Sequence, residues 1–330
     1  MDAFALQSQF LLDLYRGAGE QPAEQFQDWA LTRLARDLPF DSAFWASAAA
    51  TPAGLVGHTL HLYRQPAQLL VDYAPLADQD TMVAESLQNP GKAIRRVARE
   101  SAPKVFMPFL ERYGLEQGMV TLLFEPEISV FNSISLYRTS RDHAFTEAEA
   151  QFKEGVFPHL IEADSRNKLA HLASGAQLGA SSQWHSAAVD TMGVVRHAEG
   201  PFRQLASREW PDWRGPYLPD ALRELMALGI TSAAMPRCTV ARLSRLGDLT
   251  LVQLRERNAV DDLPERMRRV ARLAAEGHGN KYIAAQMNIS PNTVRNHLAM
   301  AYERLAVKNK AEMAGLLLRF EQDITPEKSG

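Results

Sequence analysis

The sequence predicts two α+β modules, each an antiparallel sheet with helices packed on it, followed by an all-α C-terminal domain of four short helices. Three observations predict this. Over residues 1–173 the patterns run helices, strands, helices, strands and one long helix. Residues 184–257 repeat the theme in shorter form, as strand pair, helices and a second strand pair. From Leu263 onward only helical spacing is found, cut by Gly and Pro.

In the first region, residues 3–15 read as a helix, and a second follows Pro22 with Phe26, Trp29, Ala30 and Leu34 on one stripe. Residues 43–46 and 59–63 read as strands, 66–73 and 82–87 as helices. Asn89-Pro90-Gly91 is a turn, and a helix around 105–113 stops at Gly114. Residues 119–124 and 128–136, separated by Glu125-Pro126-Glu127, are expected to pair antiparallel. Thr146-x-x-Glu149 is a capping box that opens a long helix to about Leu172, with a kink expected at Pro158. LPFDSAFW (38–45) and FTEAEAQFKEGVFPHLIEA (145–163) resemble segments of a GAF-type sensor module. That resemblance implies room for a small molecule between sheet and helices. Trp45, Tyr63, Tyr73 and Phe124 are candidates for a pocket wall, with plain core packing as the alternative. His58 and His61 fall on opposite sides of a strand, a poor metal pair, and read as structural.

Residues 174–183, small and polar, read as a linker. Residues 187–190 and 194–197 flank Thr191-Met192-Gly193 as a hairpin. Helices are expected at 201–208 and 218–228, and a second hairpin at 239–243 and 249–255 about Leu246-Gly247-Asp248. This order is similar to a degenerate PAS module. Trp210 and Trp213 read as packing against the sheet, or else as pocket walls. Residues 256–262 are charged and join this unit to the last domain.

In the last domain Pro264 suits a first helical position, and Val270, Leu273 and Ala274 form the first stripe. Gly277 and Gly279 stop that helix. A second short helix turns Ile283, Ala284 and Met287 inward. Ser290-Pro291 is an N-cap hydroxyl followed by Pro at the first helical position. The third helix should bury Val294, Leu298, Ala301 and Leu305 and show Asn292, Arg295, Asn296 and Ala299. Asn309 can cap a fourth helix with Met313, Leu316, Leu317 and Phe320 on its stripe. Two short helices joined by a tight turn, with polar and basic residues opening the second, have the shape of a helix-turn-helix. Charge agrees with this locally. Lys281, Arg295, Arg304, Lys308 and Lys310 face one anion, Glu303, so residues 281–310 carry +4 while the whole chain carries −3 and the remainder −7. A basic island on an acidic chain is an electrostatic footprint for nucleic acid.

The stretch resembles the C-terminal DNA-binding domain of LuxR-type regulators, also called the GerE or FixJ type. The matching residues are Gly277, Asn280, Lys281, Ile283, Ala284; Ile289, Ser290, Thr293, Val294, His297; and Arg304, Leu305, Val307, Asn309, Lys310, Glu312. It departs at Met267, where the family has Glu, at Gly279, where a capping Ser is usual, and at Ala299, often polar. The resemblance implies phosphate contacts from Lys281, Ser290, Asn292, Thr293, Lys308 and Lys310. It implies base contacts from Arg295 and Asn296, with Ala299 touching a thymine methyl. The fourth helix would be the dimer contact, and His297 a packed, hydrogen-bonded residue. LuxR-type acyl-homoserine-lactone receptors place Trp and Tyr four apart, then Asp-Pro; here Leu69 precedes Tyr73 and Thr81 follows Asp80, so that ligand is not expected.

Composition bounds the rest. With 330 residues, 46% apolar and 23% charged, the chain can bury two or three cores. One cysteine, Cys238, excludes a disulfide framework or cysteine zinc cluster within the chain and fits a reducing cytosol. No signal peptide, 18-residue apolar run, P-loop, G-x-S-x-G, H-E-x-x-H or G-x-G-x-x-G is found. Receiver-domain features are likewise absent from the sequence. The expected protein is a cytoplasmic DNA-binding transcriptional regulator and not an enzyme, with no cofactor and no metal. Its expected partners are double-stranded DNA, a second copy, a small-molecule signal and RNA polymerase, with no membrane. The alternative is a signal- or protein-binding module using the helix-turn-helix as an interaction surface. The expected divisions are 1–173 (sensor and dimerisation), 174–183 (linker), 184–257 (second module), 258–322 (DNA-binding domain) and 323–330 (tail).

Overall fold

Residues 3–52, 54–175 and 183–321 are described by the computed structural model of the chain. Helices α1 (Ala3–Glu20) and α2 (Phe26–Asp37) precede a long hairpin, β1 (Ser42–Thr51) and β2 (Gly54–Tyr63). Both strands outrun the expected 43–46 and 59–63, because the small residues after Trp45 continue the ladder to Thr51. Then come α3 (Gln68–Tyr73), a 3-10 turn (Ala74–Gln79), α4 (Thr81–Gln88), β3 (Ala93–Val97), α5 (Ala98–Ser101), a second 3-10 turn (Lys104–Phe106) and α6 (Met107–Tyr113). Asp80 starts α4 by accepting the N–H groups of Met82 and Val83 at 2.9 and 3.1 Å. Strands β4 (Gln117–Glu125) and β5 (Val130–Arg138) complete the sheet, and α7 (Glu147–Gly175) leaves it. The capping box closes as expected. Thr146 N–H donates to Glu149 Oε2 at 2.8 Å, and Glu149 N–H to Thr146 Oγ1 at 3.2 Å. The helix runs unbroken through Pro158.

The first sheet has the order β2-β1-β5-β4-β3, every pair antiparallel. Helices cover both faces. On one side α1, α2 and α7 meet Ala43, Trp45, Met119, Ile134 and Leu136 in one buried cluster. On the other, α3 and α6 form a second cluster around Leu69, Phe106, Phe109 and Tyr113. Strand β3 escapes a sequence reading because Arg95-Arg96 hide its alternation; it is an edge strand, where charge is tolerated. Lys153 of α7 reaches the strands of this cluster with no exposed surface. Its Nζ donates to the carbonyls of Met119 and Ile134 at 2.8 and 2.7 Å, and burial holds its pKa well below the ordinary lysine value.

The second module holds β6 (His185–Asp190), β7 (Val195–Ala198), α8 (Gly200–Glu209), α9 (Asp220–Leu228), β8 (Ser232–Ala234), β9 (Thr239–Leu246) and β10 (Leu249–Glu256). Its order is β7-β6-β10-β9-β8. Counted within each module, both sheets run 2-1-5-4-3. Both also carry a register shift in the first hairpin, at Ser47/Ala48 and at Ala188/Val189. Strand β8, three residues long, was not expected from sequence. The two cores are not separate. Ala49, Ile128 and Val130 of the first module are buried with Val189, Phe202, Trp213 and Val252 of the second. Ile128 was expected inside a strand; it sits in the β4–β5 turn. Trp213 is buried, and its Nε1 donates to the Tyr217 carbonyl at 2.7 Å. The expected linker falls largely on residues 176–182, outside the described residues, as does the tail at 323–330; Ser174 and Gly175 end α7.

The connection to the last domain is fixed at both ends. Arg255, 4% exposed, donates Nη1 and Nη2 to the two oxygens of Asp261, each at 2.6 Å. Asn258 N–H donates to the same carboxylate at 2.9 Å. Val260 and Leu263 are buried in the helical core that follows. Among the described residues no helix is long and apolar enough to cross a membrane.

Candidate nucleic-acid interface

Four helices make the last domain: α10 (Glu265–Ala275), α11 (Asn280–Met287), α12 (Pro291–Arg304) and α13 (Lys310–Glu321). Pro264 is the residue before α10, one position earlier than expected. Met267 is 3% exposed and joins the core with Val270, Ala271 and Ala274, so an apolar residue suits that position. Gly277, at φ +99, ends the α10 segment in the left-handed region. No side chain caps α11, in keeping with Gly279 at its N-cap. The turn between α11 and α12 is made by Asn288 at φ 52. Asn tolerates that conformation, and this turn residue was not singled out from the sequence.

Helix α12 starts as its sequence requires. Ser290 Oγ accepts the Thr293 N–H at 3.0 Å, and the two hydroxyls bond each other at 2.8 Å. Val294, Leu298 and Ala301 are buried against the other helices, and Leu305 closes the stripe. Asn292, Arg295, Asn296 and Ala299 are exposed. Lys281, Ser290, Lys308 and Lys310 are exposed as well, and Thr293 is half-buried. Asn309 caps the start of α13, accepting the Glu312 N–H at 2.9 Å, while Glu312 reaches back to Lys308 N–H at 2.8 Å. Met313 and Leu317 are buried; the side chain of Phe320 lies outside the described residues. His297 differs from expectation: its Nδ1 is buried and meets no hydrogen-bond partner among the described residues.

The five cations of residues 281–310 make no ion pair among the described residues. Elsewhere arginines are committed to partners, as Arg33 is to Asp13 and Asp37, or Arg255 to Asp261. Unpaired, solvated cations beside an exposed helix face can neutralise phosphates without first breaking an internal contact. Arg295 presents a fork of donors, Asn296 an amide pair and Ala299 a bare methyl, which are groups able to address base edges.

The first module contains a cavity of about 120 Å³ between the sheet and helices α3 to α6. Phe44, Leu69, Phe106, Phe109 and Val120 are among its apolar walls; Tyr73, Asp80, Ser133, Ser135 and Tyr137 supply polar atoms. Tyr73 donates to Asp80 Oδ2 at 2.9 Å. Burial, then the Asp80 charge, pushes the Tyr73 hydroxyl far up, and burial pushes Tyr137 up to about 12, so both stay protonated donors. Of the four aromatic wall candidates only Tyr73 lines this space. Trp45 and Tyr63 point to the opposite face of the sheet and pack with α1, α2 and α7, where Tyr63 Oη meets Thr32 Oγ1 at 3.0 Å. Phe124 is 39% exposed and stacks on Phe131 with ring centroids 4.5 Å apart. Sequence alone does not distinguish the cavity face, because helices cover both. His61 Nε2 contacts Asp28 Oδ1 at 3.1 Å, and both ring nitrogens of His58 are buried without a hydrogen-bond partner among the described residues. Among the described residues no group of three or more His, Cys, Asp or Glu gathers as a metal site.

Residues 261–317 match the family model described as bacterial regulatory proteins, luxR family, of GerE type. The chain is 34% identical over 98 residues to the putative HTH-type transcriptional regulator YhjB of Escherichia coli strain K12, covering 30% of this chain and 46% of that one. It is 44% identical over 54 residues to the transcriptional regulatory protein UhpA of the same strain, covering 16% and 28%. The chain thus spans less than half the length of these curated relatives. Among solved structures, SdiA in complex with octanoyl-rac-glycerol aligns with a TM-score of 0.40 at 15% identity, covering 97% of this chain and 96% of that one; SdiA is an Escherichia coli protein. Helices α10 to α13 therefore form a GerE-type helix-turn-helix domain of the luxR family of bacterial regulatory proteins.

Proposed function

We propose that this protein is a sequence-specific DNA-binding transcriptional regulator that reads the major groove with α12. The observation that carries this reading is the exposed face of α12, Arg295, Asn296 and Ala299, in a domain whose Lys281, Arg304, Lys308 and Lys310 make no ion pair among the described residues. Arg295 and Asn296 address base edges, Ala299 a thymine methyl, and Lys281, Ser290, Asn292, Thr293, Lys308 and Lys310 the phosphates. The protein acts as a homodimer that sets two copies of α12 one DNA turn apart, about 34 Å. RNA polymerase is its partner at the promoter, the cytoplasm its compartment, and no catalysis is involved.

The two N-terminal modules are read as GAF-like and PAS-like sensors that control the dimer. Two antiparallel sheets of the same strand order, each carrying helices, support this. The cavity beside Tyr73 and Asp80 is the site for a small-molecule signal. Mostly apolar walls with a few converging polar groups suit a small organic molecule rather than an ion.

The test is selection of bound fragments from a genomic library, followed by titration of the best fragment across salt. A recurrent sequence and a steep fall of affinity with salt are expected. No binding at low salt would reject the proposal and leave the helix-turn-helix as a protein interaction surface.

A further inference from the structure

The β4–β5 hairpin belongs to two places at once. Along its length it is the floor of the cavity: Val120 of β4 and Ser133 and Ser135 of β5 face that space. At its tip it is part of the second module. The turn at 126–129 carries Ile128, 2% exposed, into the cluster that holds Phe202 and Trp213, and Val130 follows it in. The backbone is tied in too. Gly215 N–H donates to the Glu127 carbonyl at 3.0 Å. A methyl group at 215 would lie 2.3 Å from the Ile128 carbonyl, so the tip seats there only because residue 215 has no side chain. Beside it Glu125, at the end of β4, accepts Arg203 Nη1 of α8 at 2.9 Å and Asn132 Nδ2 of β5 at 2.8 Å. Arg203 also donates to the Ala198 carbonyl at 2.7 Å, which locks the pair to the second sheet.

We propose that this hairpin is the mechanical link by which the state of the cavity reaches the second module. A sheet strand pair is stiff along its length, and a close-packed core transmits a displacement instead of absorbing it. A shift of the floor therefore moves Ile128 and the Glu125–Arg203 pair within the second core. From there β10 leads through Arg255 and Asp261 to α10. The inference rests on the reading of the cavity as a sensor site, but the coupling itself is measurable without ligand or DNA.

The experiment is hydrogen exchange on the full chain, with Val120→Phe as the probe of an occupied cavity. In otherwise unchanged protein, Val120→Phe should alter exchange of the 202–218 segment about fivefold or more, the scale of a coupling between sites. Adding Gly215→Ala, which forces the tip out of its seat, should abolish that response. Arg203→Gln, which leaves the Gly215 seat intact, should reduce it, and this variant decides the matter if Gly215→Ala loses protection of β6 and β10. An unchanged 202–218 segment in Val120→Phe would overturn the proposal, as would a response that survives both tip variants. If the coupling is found and no DNA is bound, the link stands and the regulator reading falls.

Discussion

Arg295 concentrates the functional argument at the scale of single residues. It is exposed on a helix whose other face is packed, so its replacement tests readout without disturbing the core. Arg295→Ala should lose about 1–3 kcal/mol of affinity and relax preference at one base position, measured by binding to an operator and its single-base variants. If Lys308 meets a phosphate as proposed, Lys308→Ala should weaken binding to all sequences alike and lower the salt slope by about 1. Equal losses with an unchanged slope would move Lys308 out of the phosphate set. Lys153 is the residue-scale case with no functional surface. Burial holds its pKa well below the ordinary lysine value, so the folded state binds the proton less readily than the unfolded one and the ammonium form opposes folding. The penalty shrinks as pH rises toward the ordinary lysine value of 10.5. Lys153→Met should raise stability at pH 7 by about 1–2 kcal/mol, with a smaller gain at pH 10, as read from urea midpoints. A gain independent of pH would mean that packing, not ionisation, sets it.

At the scale of elements, caps and joints matter more than helix length. The Ser290 cap, the left-handed Asn288 and the Asn309–Glu312 box fix where α12 starts and how it is held between its neighbours. The joint at 255–261 is the other such element. Burial alone would raise the Asp261 pKa, but hydrogen bonds from Arg255 and the Asn258 N–H more than reverse that and hold it below the ordinary carboxylate value of 3.8. Its contribution to stability is thus complete above that value and lost as pH falls through the lower, folded one. Asp261→Asn should cost about 3 kcal/mol near neutrality, since it strands a buried guanidinium. The difference from the unaltered protein should shrink as pH falls below 3.8, which calorimetry of the two chains would check. Much of this scale was readable beforehand: Thr146-x-x-Glu149, Ser290-Pro291 and Asn309 announce helix starts through local chemistry. Strands β3 and β8 did not announce themselves, because edge strands need neither apolar alternation nor length.

For the whole molecule, local chemistry was enough to determine the GerE-type domain, its exposed helix face and the presence of two sheet modules. Helical periodicity, caps and charge are written within a dozen residues of one another, so a linear reading captures them. Tertiary structure alone decided which face of the first sheet borders the cavity, since Trp45 and Tyr73 are equally apolar signals and differ only in which helical layer they meet. It also decided that Ile128 completes the core of the other module, and that Glu125 is paired with an arginine 78 positions away. Contacts between distant segments depend on how whole sheets stack, and no short window of sequence contains both partners.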